Sequence, residues 1–400
     1  MKAVILAAGE GNRMRPLTYT RPKVMLPLAN KPILEHLLIE LKKAGVKEFT
    51  IVVGYHGETI RQHFGDGTRW GVSIDYVTQR KQLGTAHAVK MVEGFIKDKF
   101  LLANGDVLLK AEDIEKILAK DNITLSLIEA KDTKDLGVVE VAGNKVKAIH
   151  EKVANPPSNL VNAGVYLLTA EIFPAIAQTE KSPRGEYELT DSLQILLAQG
   201  YPMSWVKIDQ WLNLSYPWDL LTANESLMAG MEEQRLGIVE ENAILKGRVS
   251  IGKGTTVRAN SYIQGPVVIG ENCDIGPNCF IRPSTAIGDR CHVGSAVEVK
   301  NSIVMRDSKI PHQNYVGDSV IGEGCNLGAG TKIANLRLDK NNITVAGIDT
   351  GRRKLGAIMG DGVQTGINSS INIGCLIGDR SFIGPGATVS GVVLPGSQVF

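Results

Sequence analysis

Cysteine is scarce in this 400-residue chain. The five (Cys273, Cys279, Cys291, Cys325 and Cys375) are an odd number spread over more than a hundred positions, with no Cys-x-x-Cys pair. That excludes a disulfide framework, gives no support to a zinc site, and points to a cytoplasmic chain. No run of 18 apolar residues occurs, so no membrane-spanning helix is expected. The opening run Met1 to Ala8 stops at Gly9-Glu10-Gly11-Asn12-Arg13, too soon for a signal peptide, and reads as a buried strand. A basic excess is also missing: 44 basic against 42 acidic residues leave +2, which speaks against a nucleic-acid or membrane partner. With 43% hydrophobic and 22% charged residues the composition is globular, so disorder, collagen and coiled coil are excluded. Aromatics are few, at 5%.

Glycine is what the chain has in abundance, 43 residues, of which 25 lie in residues 238–400. That asymmetry marks two halves of different grammar. In the first, short apolar runs (Val4-Ile5-Leu6, Phe49 to Val53, Phe100 to Ala103) alternate with helical spacing at Ile33, Leu34, Leu37, Leu38 and Leu41 and over Glu58 to Phe64. This predicts an α/β, Rossmann-like domain with a mostly parallel mixed sheet covered on both faces. Ligands of such sheets bind beyond the carboxyl ends of the strands, where the polar clusters Gly9 to Arg13 and Asn104-Gly105-Asp106 fall.

In the second half an aliphatic residue or Met recurs every six positions from Val239 through Leu245, Ile251, Val257 and onward to Met305, twelve in strict register. The register is expected to slip at Pro311, to resume at Tyr315, Ile321, Leu327 and Ile333, and to run again from Met359 to Pro395. A hexapeptide period predicts a left-handed parallel β-helix, three short strands to an 18-residue coil. Cys273, Cys279 and Cys291, each two residues before an inward position, are expected in its core, and Leu336 to Gly356 as a loop leaving the coil. Residues 1–206, a 207–237 linker with a helix near Trp218 to Leu227, and 238–400 are the expected domains.

Gly9, Gly11 and Arg13 follow the first strand, and Arg21-Pro22-Lys23 comes soon after. Glycine lets backbone amides approach a polyphosphate, and the cations neutralise it. Gly-x-Gly-x-Arg-Met followed by Pro-Lys-x-Met-Leu-Pro resembles the sugar-1-phosphate nucleotidylyltransferases, as do Gln79 to Ala88, Asn104-Gly105-Asp106, Gly137, Glu151-Lys152 and Asn162-Ala163-Gly164. The resemblance implies catalytic Arg13 and Lys23; nucleotide contacts from Ala8, Gly9, Gln79, Gly84 and Thr85; and sugar-phosphate contacts from Gly137, Glu151, Lys152 and Asn162. It also implies Mg2+ on Asp106 and Asn213, with Asp219 or Asp209 as substitutes for the latter, and UTP or dTTP as donor. His87, at helical spacing after Thr85, is expected to serve packing.

In the second half Lys309 to Asp318 sets His312 and Tyr315 where the repeat breaks, an unlikely place for core residues. An imidazole there suits proton removal from an amine attacking a thioester. The stretch is similar to the acetyltransferase half of bifunctional sugar-nucleotide enzymes. That similarity implies His312 as general base, and Arg282, Lys300, Tyr315, Asn326 and Asn335 on the amino-sugar phosphate. It further implies acetyl-CoA near Gly384 and Ala387, and a homotrimer or dimer of trimers with acetyl sites between subunits. The implied activity is N-acetylation of glucosamine-1-phosphate (or galactosamine-1-phosphate) followed by uridylyl transfer. Two other readings stay open: a monofunctional glucose-1-phosphate uridylyl- or thymidylyltransferase with the β-helix as oligomerisation or regulatory module, and a non-catalytic binding subunit.

Overall fold

The structure is a computed structural model describing all residues except Lys131, Asp132, Lys134, Asp135, Lys152, Val153, Ala154 and Asn213. The chain divides into two compact units, one of Met1–Glu10, Arg21–Met25 and Ile33–Asn213, the other of Gly11–Thr20, Leu26–Pro32 and Leu214–Phe400.

The first unit is built on nine strands: β1 (Lys2–Ala7), β2 (Glu48–Val53), β3 (Ser73–Thr78), β4 (Phe100–Asn104), β5 (Ile123–Glu129), β6 (Gly137–Ala142), β7 (Lys145–Glu151), β8 (Leu160–Leu168) and β9 (Met203–Lys207). They form one sheet in the order β3-β2-β1-β4-β8-β5-β9-β7-β6. The four strands β3, β2, β1 and β4 are parallel neighbours. Antiparallel β8 is inserted between β4 and β5, and β6 and β7 make a hairpin at one edge.

Successive residues of β1 point to opposite faces, and both faces are covered. Ala3, Ile5 and Ala7 pack with Leu34, Leu37, Leu38 and Leu41 of α1 (Ile33–Lys43), Ile60 and Phe64 of α2 (Gly57–Phe64), and Ile114 and Ile117 of α4 (Ala111–Leu118). Val4 packs on the other side with α3 (Thr85–Lys90), α5 (Ile172–Gln178) and α6 (Leu189–Ala198). Burial on both faces is why the strand reads as a continuous apolar run and not an alternating one.

The second unit is a left-handed parallel β-helix whose three sides are sheets of nine, eight and eight short strands. One side stacks Val239, Val257, Ile275 and Val293 at 18-residue steps, each directly on the last. The stacked aliphatic residues form one core from Val249 to Val389, and all five cysteines are buried along it. Thr365 takes an inward position as well, its hydroxyl 2.7 Å from that of Thr331.

The register breaks differently from the six-residue expectation. Ile287 pairs with Val304, Val293 with Ile310 and Val299 with Val316, each 17 residues on. The inward residues are therefore Val304, Ile310, Val316 and Ile321, and Tyr315 faces outward; Met305 is buried but stands one place past the stack. Near the end Val393, not Pro395, pairs with Ile377. The cause lies at the corners. Positive-φ residues recur at Asn272, Asn278, Ser284, Arg290 and Ala296, six apart, then come after only five at Asn301 and again at Asp318. Asn and Asp adopt this left-handed conformation at low cost, which is why a corner need not be Gly.

Leu336 to Gly356 leaves the coil as expected, and carries a small hairpin of Thr344–Val345 with Ile348–Asp349. Arg352 in it donates to Thr222 and Glu225 of α7 (Asp219–Ala229), at 2.7 and 2.8 Å. Asn224 of the same helix bonds Ser284 O and the Ala29 amide. Among the described residues no helix is long and apolar enough to cross a membrane.

Burial pushes the thiols of Cys291 and Cys325 up to about 12 and that of Cys375 to about 11. The thiolate is the reactive form. A disulfide-exchange reagent at pH 8 is therefore expected to titrate none of the five thiols in minutes in the native protein, and all five in guanidinium. Rapid modification of any one in the native state would contradict the packing described.

Candidate active sites

In the first unit the candidate residues gather at the carboxyl ends of adjacent parallel strands. Ala8 and Gly9 follow β1, Gln79 follows β3, and Asn104-Gly105-Asp106 closes β4. Backbone bonds lock the rim together: Gly105 donates to Leu6 O, Tyr55 to Ala8 O and Gln79 to Val53 O, at 2.8 to 3.1 Å. Lys23, on a single 3-10 turn, places Nζ 2.5 Å from Asp106 Oδ2.

The Gln79–His87 stretch is wired internally. Gly84, at φ +106°, is wedged against Tyr187, whose carbonyl oxygen would lie 2.4 Å from any Cβ. Tyr187 N donates to Leu83 O, Ala86 N to Tyr187 O, and Leu189 N to Thr85 Oγ1. Gln79, buried, directs its amide nitrogen to Gly84 O at 3.3 Å and to His87 Nδ1 at 2.8 Å. His87, expected only to pack, thus also fixes the Gln79 amide. Burial, with a smaller effect of Lys90, holds its imidazole below the usual range and so neutral near pH 7. A neutral ring accepting at Nδ1 obliges Gln79 to present N–H inward and Oε1 on the opposite side.

A third group lies along β6–β8. Gly137 pairs with Glu151 across the hairpin, so close that a Cβ would sit 3.0 Å from the Glu151 carboxylate. Glu151 accepts from Arg184 and Thr190 at 3.4 Å. A register shift in β8 after Asn162 turns its amide onto the Tyr166 hydroxyl, 2.6 Å away. Lys152 and Asn213 lie outside the described residues. Asp209 is paired with Lys116 at 2.8 Å, and Asp219, at the start of α7, accepts the amides of Ser215 and Tyr216. Both proposed substitutes for Asn213 are thus already engaged. Arg13 belongs to the Gly11–Thr20 segment of the second unit, its guanidinium 5.7 Å from the Tyr216 ring centroid.

On the β-helix the candidates occupy outward positions around the shortened corner. His312 is exposed beside Ser295, and its carbonyl accepts from Gly330, so the turn after Asn326 stacks on it. Arg282 pairs with Glu298 at 2.8 Å. Lys300 Nζ is 2.8 Å from Asp318 Oδ2, and Asn335 Nδ2 reaches the same oxygen at 2.6 Å and the Tyr315 hydroxyl at 3.1 Å. Beside Tyr315 runs a cleft of about 260 Å³ lined further by Lys332, Ala334, Ser370, Asn372 and Thr388. Gly384 is buried under Phe400 and Ala387 lies in the core stack, so neither presents an exposed side chain to a ligand. Asp318 is the residue the sequence reading left without a role.

Known proteins fit this division. A family model described as "Nucleotidyl transferase" matches residues 2–230, and one described as "GMPPB C-terminal domain" matches 263–368. The crystal structure of UDP-glucose pyrophosphorylase complexed with UDP-glucose covers 57% of this chain and 99% of its own at TM-score 0.53 and 22% identity, a likeness of fold. Bifunctional protein GlmU of Methanococcus maripaludis is 44% identical over 408 residues, 100% of this chain and 97% of that one. The bifunctional sugar-1-phosphate nucleotidylyltransferase/acetyltransferase of Sulfurisphaera tokodaii is 38% identical over 98% of this chain and 97% of its own. The chain belongs to the nucleotidyl transferase family and, over its whole length, to these bifunctional nucleotidylyltransferase/acetyltransferases.

Gly84→Ala should destabilise the fold by about 1–3 kcal/mol and so lower the unfolding midpoint, because both its φ and its space are taken. Gly9→Ala, with nothing within 4 Å of a Cβ, should leave the midpoint unchanged. Calorimetry of the two variants checks the pair.

Proposed function

We propose that the chain makes a UDP-activated N-acetylated amino sugar in two consecutive steps: acetyl transfer from acetyl-CoA to glucosamine-1-phosphate, then uridylyl transfer from UTP. The observation carrying the reading is that each half keeps a polar constellation where its fold can expose one, Lys23 with Asp106 at a strand-end rim and Lys300, Tyr315 and Asn335 at an outward corner beside exposed His312. Residues 1–206 would serve uridylyl transfer and 238–400 acetyl transfer. The presence of Arg13, Lys23 and Asp106 together speaks against the binding-subunit reading.

In the first step the amine nitrogen attacks the thioester carbonyl, the C–S bond breaks, and CoA leaves as thiolate. His312 takes the amine proton and returns it to the thiolate. Arg282 and Lys300 hold the sugar phosphate, Tyr315, Asn326 and Asn335 the sugar and its amine, and the coil around Gly384 and Ala387 the CoA. Lys300 keeps donors to spare while bound to Asp318, since an ammonium has three.

In the second step a phosphate oxygen of the sugar phosphate attacks the α-phosphorus of UTP, and the Pα–O bond to pyrophosphate breaks with its electron pair. The nucleophile is already an anion, so positioning and charge neutralisation carry the rate. Ala8, Gly9, Gln79, Gly84 and Thr85 hold the nucleotide, and Arg13 and Lys23 its phosphates. Gly137, Glu151, Lys152 and Asn162 orient the sugar. Among the described residues no cluster of three acidic, His or Cys side chains could hold a metal alone. Mg2+ is commonly bound by one or two carboxylates plus substrate phosphates, so half-exposed Asp106 fits it, with Asn213 proposed from the sequence as the second ligand. Mg2+, when bound, neutralises phosphate charge. A homotrimer or dimer of trimers, with acetyl sites shared between subunits, completes the proposal.

The test is acetyl-CoA consumption with glucosamine-1-phosphate, and pyrophosphate release from UTP with N-acetylglucosamine-1-phosphate. His312→Ala should lose roughly 10²–10⁴-fold of the first and none of the second. Asp106→Asn should reverse the pattern. Wild type that consumes no acetyl-CoA would leave the β-helix as a scaffold.

The His87–Gln79 bond generates a pH dependence. Above about 6.5, the ordinary imidazole value, the ring is neutral and accepts from Gln79. As the pH falls below that toward the lowered native value, protonation removes the acceptor and frees the amide to turn. KM for UTP should therefore rise more steeply in acid for wild type than for His87→Gln, the titration of UTP itself being common to both. Parallel profiles would refute the role given to His87.

A further inference from the structure

We propose that Asp318 is a positioning residue of the acetyl-transfer site: its carboxylate sets the orientation of the Asn335 amide and tethers Lys300. The inference rests on the acetyl-transfer reading and names a residue which that reading does not use.

The shortened corner makes the arrangement possible. Asn301 and Asp318 are the two corner residues that follow after five positions instead of six, and they stand one coil apart, 17 residues, at the same edge of the prism. Both take positive φ, which turns their side chains toward each other, and Asn301 Nδ2 donates to Asp318 Oδ1 at 2.8 Å. Asp318 Oδ2 accepts from Lys300 Nζ at 2.8 Å and from Asn335 Nδ2 at 2.6 Å. Three donors, two from the coil before and one from the coil after, converge on one buried carboxylate, whose side chain is 3% exposed.

The consequence is chemical. An ionised carboxylate can only accept, so Asn335 must offer it N–H and not C=O. Its second N–H lies 3.1 Å from the Tyr315 hydroxyl, which engages the whole NH2 group. Oδ1 is left on the opposite side as an acceptor of fixed direction. An attacking amine needs such an acceptor: one N–H held at Asn335 Oδ1 leaves another for the base and aims the lone pair. Without the carboxylate the amide could turn over and meet the amine donor to donor.

Asn301 is itself held from outside the coil. Its Nδ2 also donates to Glu225 Oε1 of α7 at 2.9 Å, the oxygen that Arg352 of the protruding loop reaches at 2.8 Å. Both N–H groups of Asn301 are thus committed to carboxylates, while its buried Oδ1 has no hydrogen-bond partner among the described residues. An amide left half satisfied in this way indicates that the charge-assisted bonds on its other end outweigh the loss.

Asp318→Asn tests the proposal, because Asn suits the left-handed corner equally well but brings a donor to face Lys300 and Asn335. It should lower the unfolding midpoint, because a buried ammonium and two amides lose their carboxylate, and leave pyrophosphate release unchanged below that midpoint. It should lower kcat for acetyl transfer about 10- to 100-fold, the effect of a lost charge-assisted hydrogen bond, and raise KM for glucosamine-1-phosphate but not for acetyl-CoA. In an Asn335→Ala background the same substitution should change kcat less than about threefold, since residues acting through one another do not add. Should Asp318→Asn fail to fold, Asp318→Gly, free of the φ constraint, carries the same expectations. Wild-type acetyl transfer with an unimpaired Asp318 variant, or full additivity with Asn335→Ala, overturns this inference alone. A wild type that does not acetylate overturns the underlying reading and this inference with it.

Discussion

The interior of the β-helix admits one inward, mostly aliphatic side chain per short strand with small residues such as the five cysteines between them, and most of what the second unit does follows from that narrowness. The stack from Val249 to Val389 leaves no room for a ligand, and even the polar inward Thr365 is satisfied by Thr331 one coil away. Chemistry must therefore sit on outward positions, and outward positions on a regular coil are featureless. The two five-residue corners at Asn301 and Asp318 break the regularity. They draw Lys300, Tyr315 and Asn335 together while the inward stack simply passes from Val299 to Val304 and on through Ile310.

The first unit obeys the opposite logic. Its sheet is buried on both faces, so only strand ends are available, and the carboxyl ends of β3, β2, β1 and β4 form a rim whose backbone groups are bonded to one another. Close approaches at that rim need glycine where a side chain would strike backbone: Gly105 against Leu6 O and Gly84 against Tyr187. Gly9, by contrast, has open space around it in the folded chain. A glycine the fold does not require is one that a ligand can require, which agrees with a phosphate approaching the backbone there.

Much of this was readable from the sequence because its causes are periodic or local. The six-residue aliphatic repeat is the β-helix, and a helix over Ile33 to Ala44 ending near Gly45 follows from spacing alone. The place of the register slip was misread since Met305 and Pro311 happen to continue the step of six from Val299, and Tyr315 happens to begin another toward Ile321, whereas the coil is fixed by corner dihedrals that apolar spacing does not report. The five-residue steps lie between the corners Ala296 and Asn301 and between Gln313 and Asp318. His87 and Asp318 escaped for another reason. Their partners, Gln79 and Asn335, are set by side-chain geometry across turns, and nothing in spacing distinguishes a packing His or a corner Asp from one that orients an amide.

The two escaped residues illustrate a shared device. A primary amide is ambiguous: turned by half a revolution it swaps donor for acceptor at nearly the same shape. At Gln79 the ambiguity is removed by the Gly84 carbonyl, which can only accept, together with a neutral imidazole in the tautomer that accepts at Nδ1, and at Asn335 by a carboxylate. In both cases the NH2 group is fully engaged by the protein, with Gly84 O or the Tyr315 hydroxyl as second partner. What faces away is a carbonyl oxygen of known direction. Such an oxygen demands a donor from its ligand, which under the proposed function would be an N–H of a pyrimidine base in one unit and of an amine in the other. The desolvation of a polar group left unpaired then turns that demand into selectivity, because a ligand lacking the N–H leaves the oxygen unsatisfied.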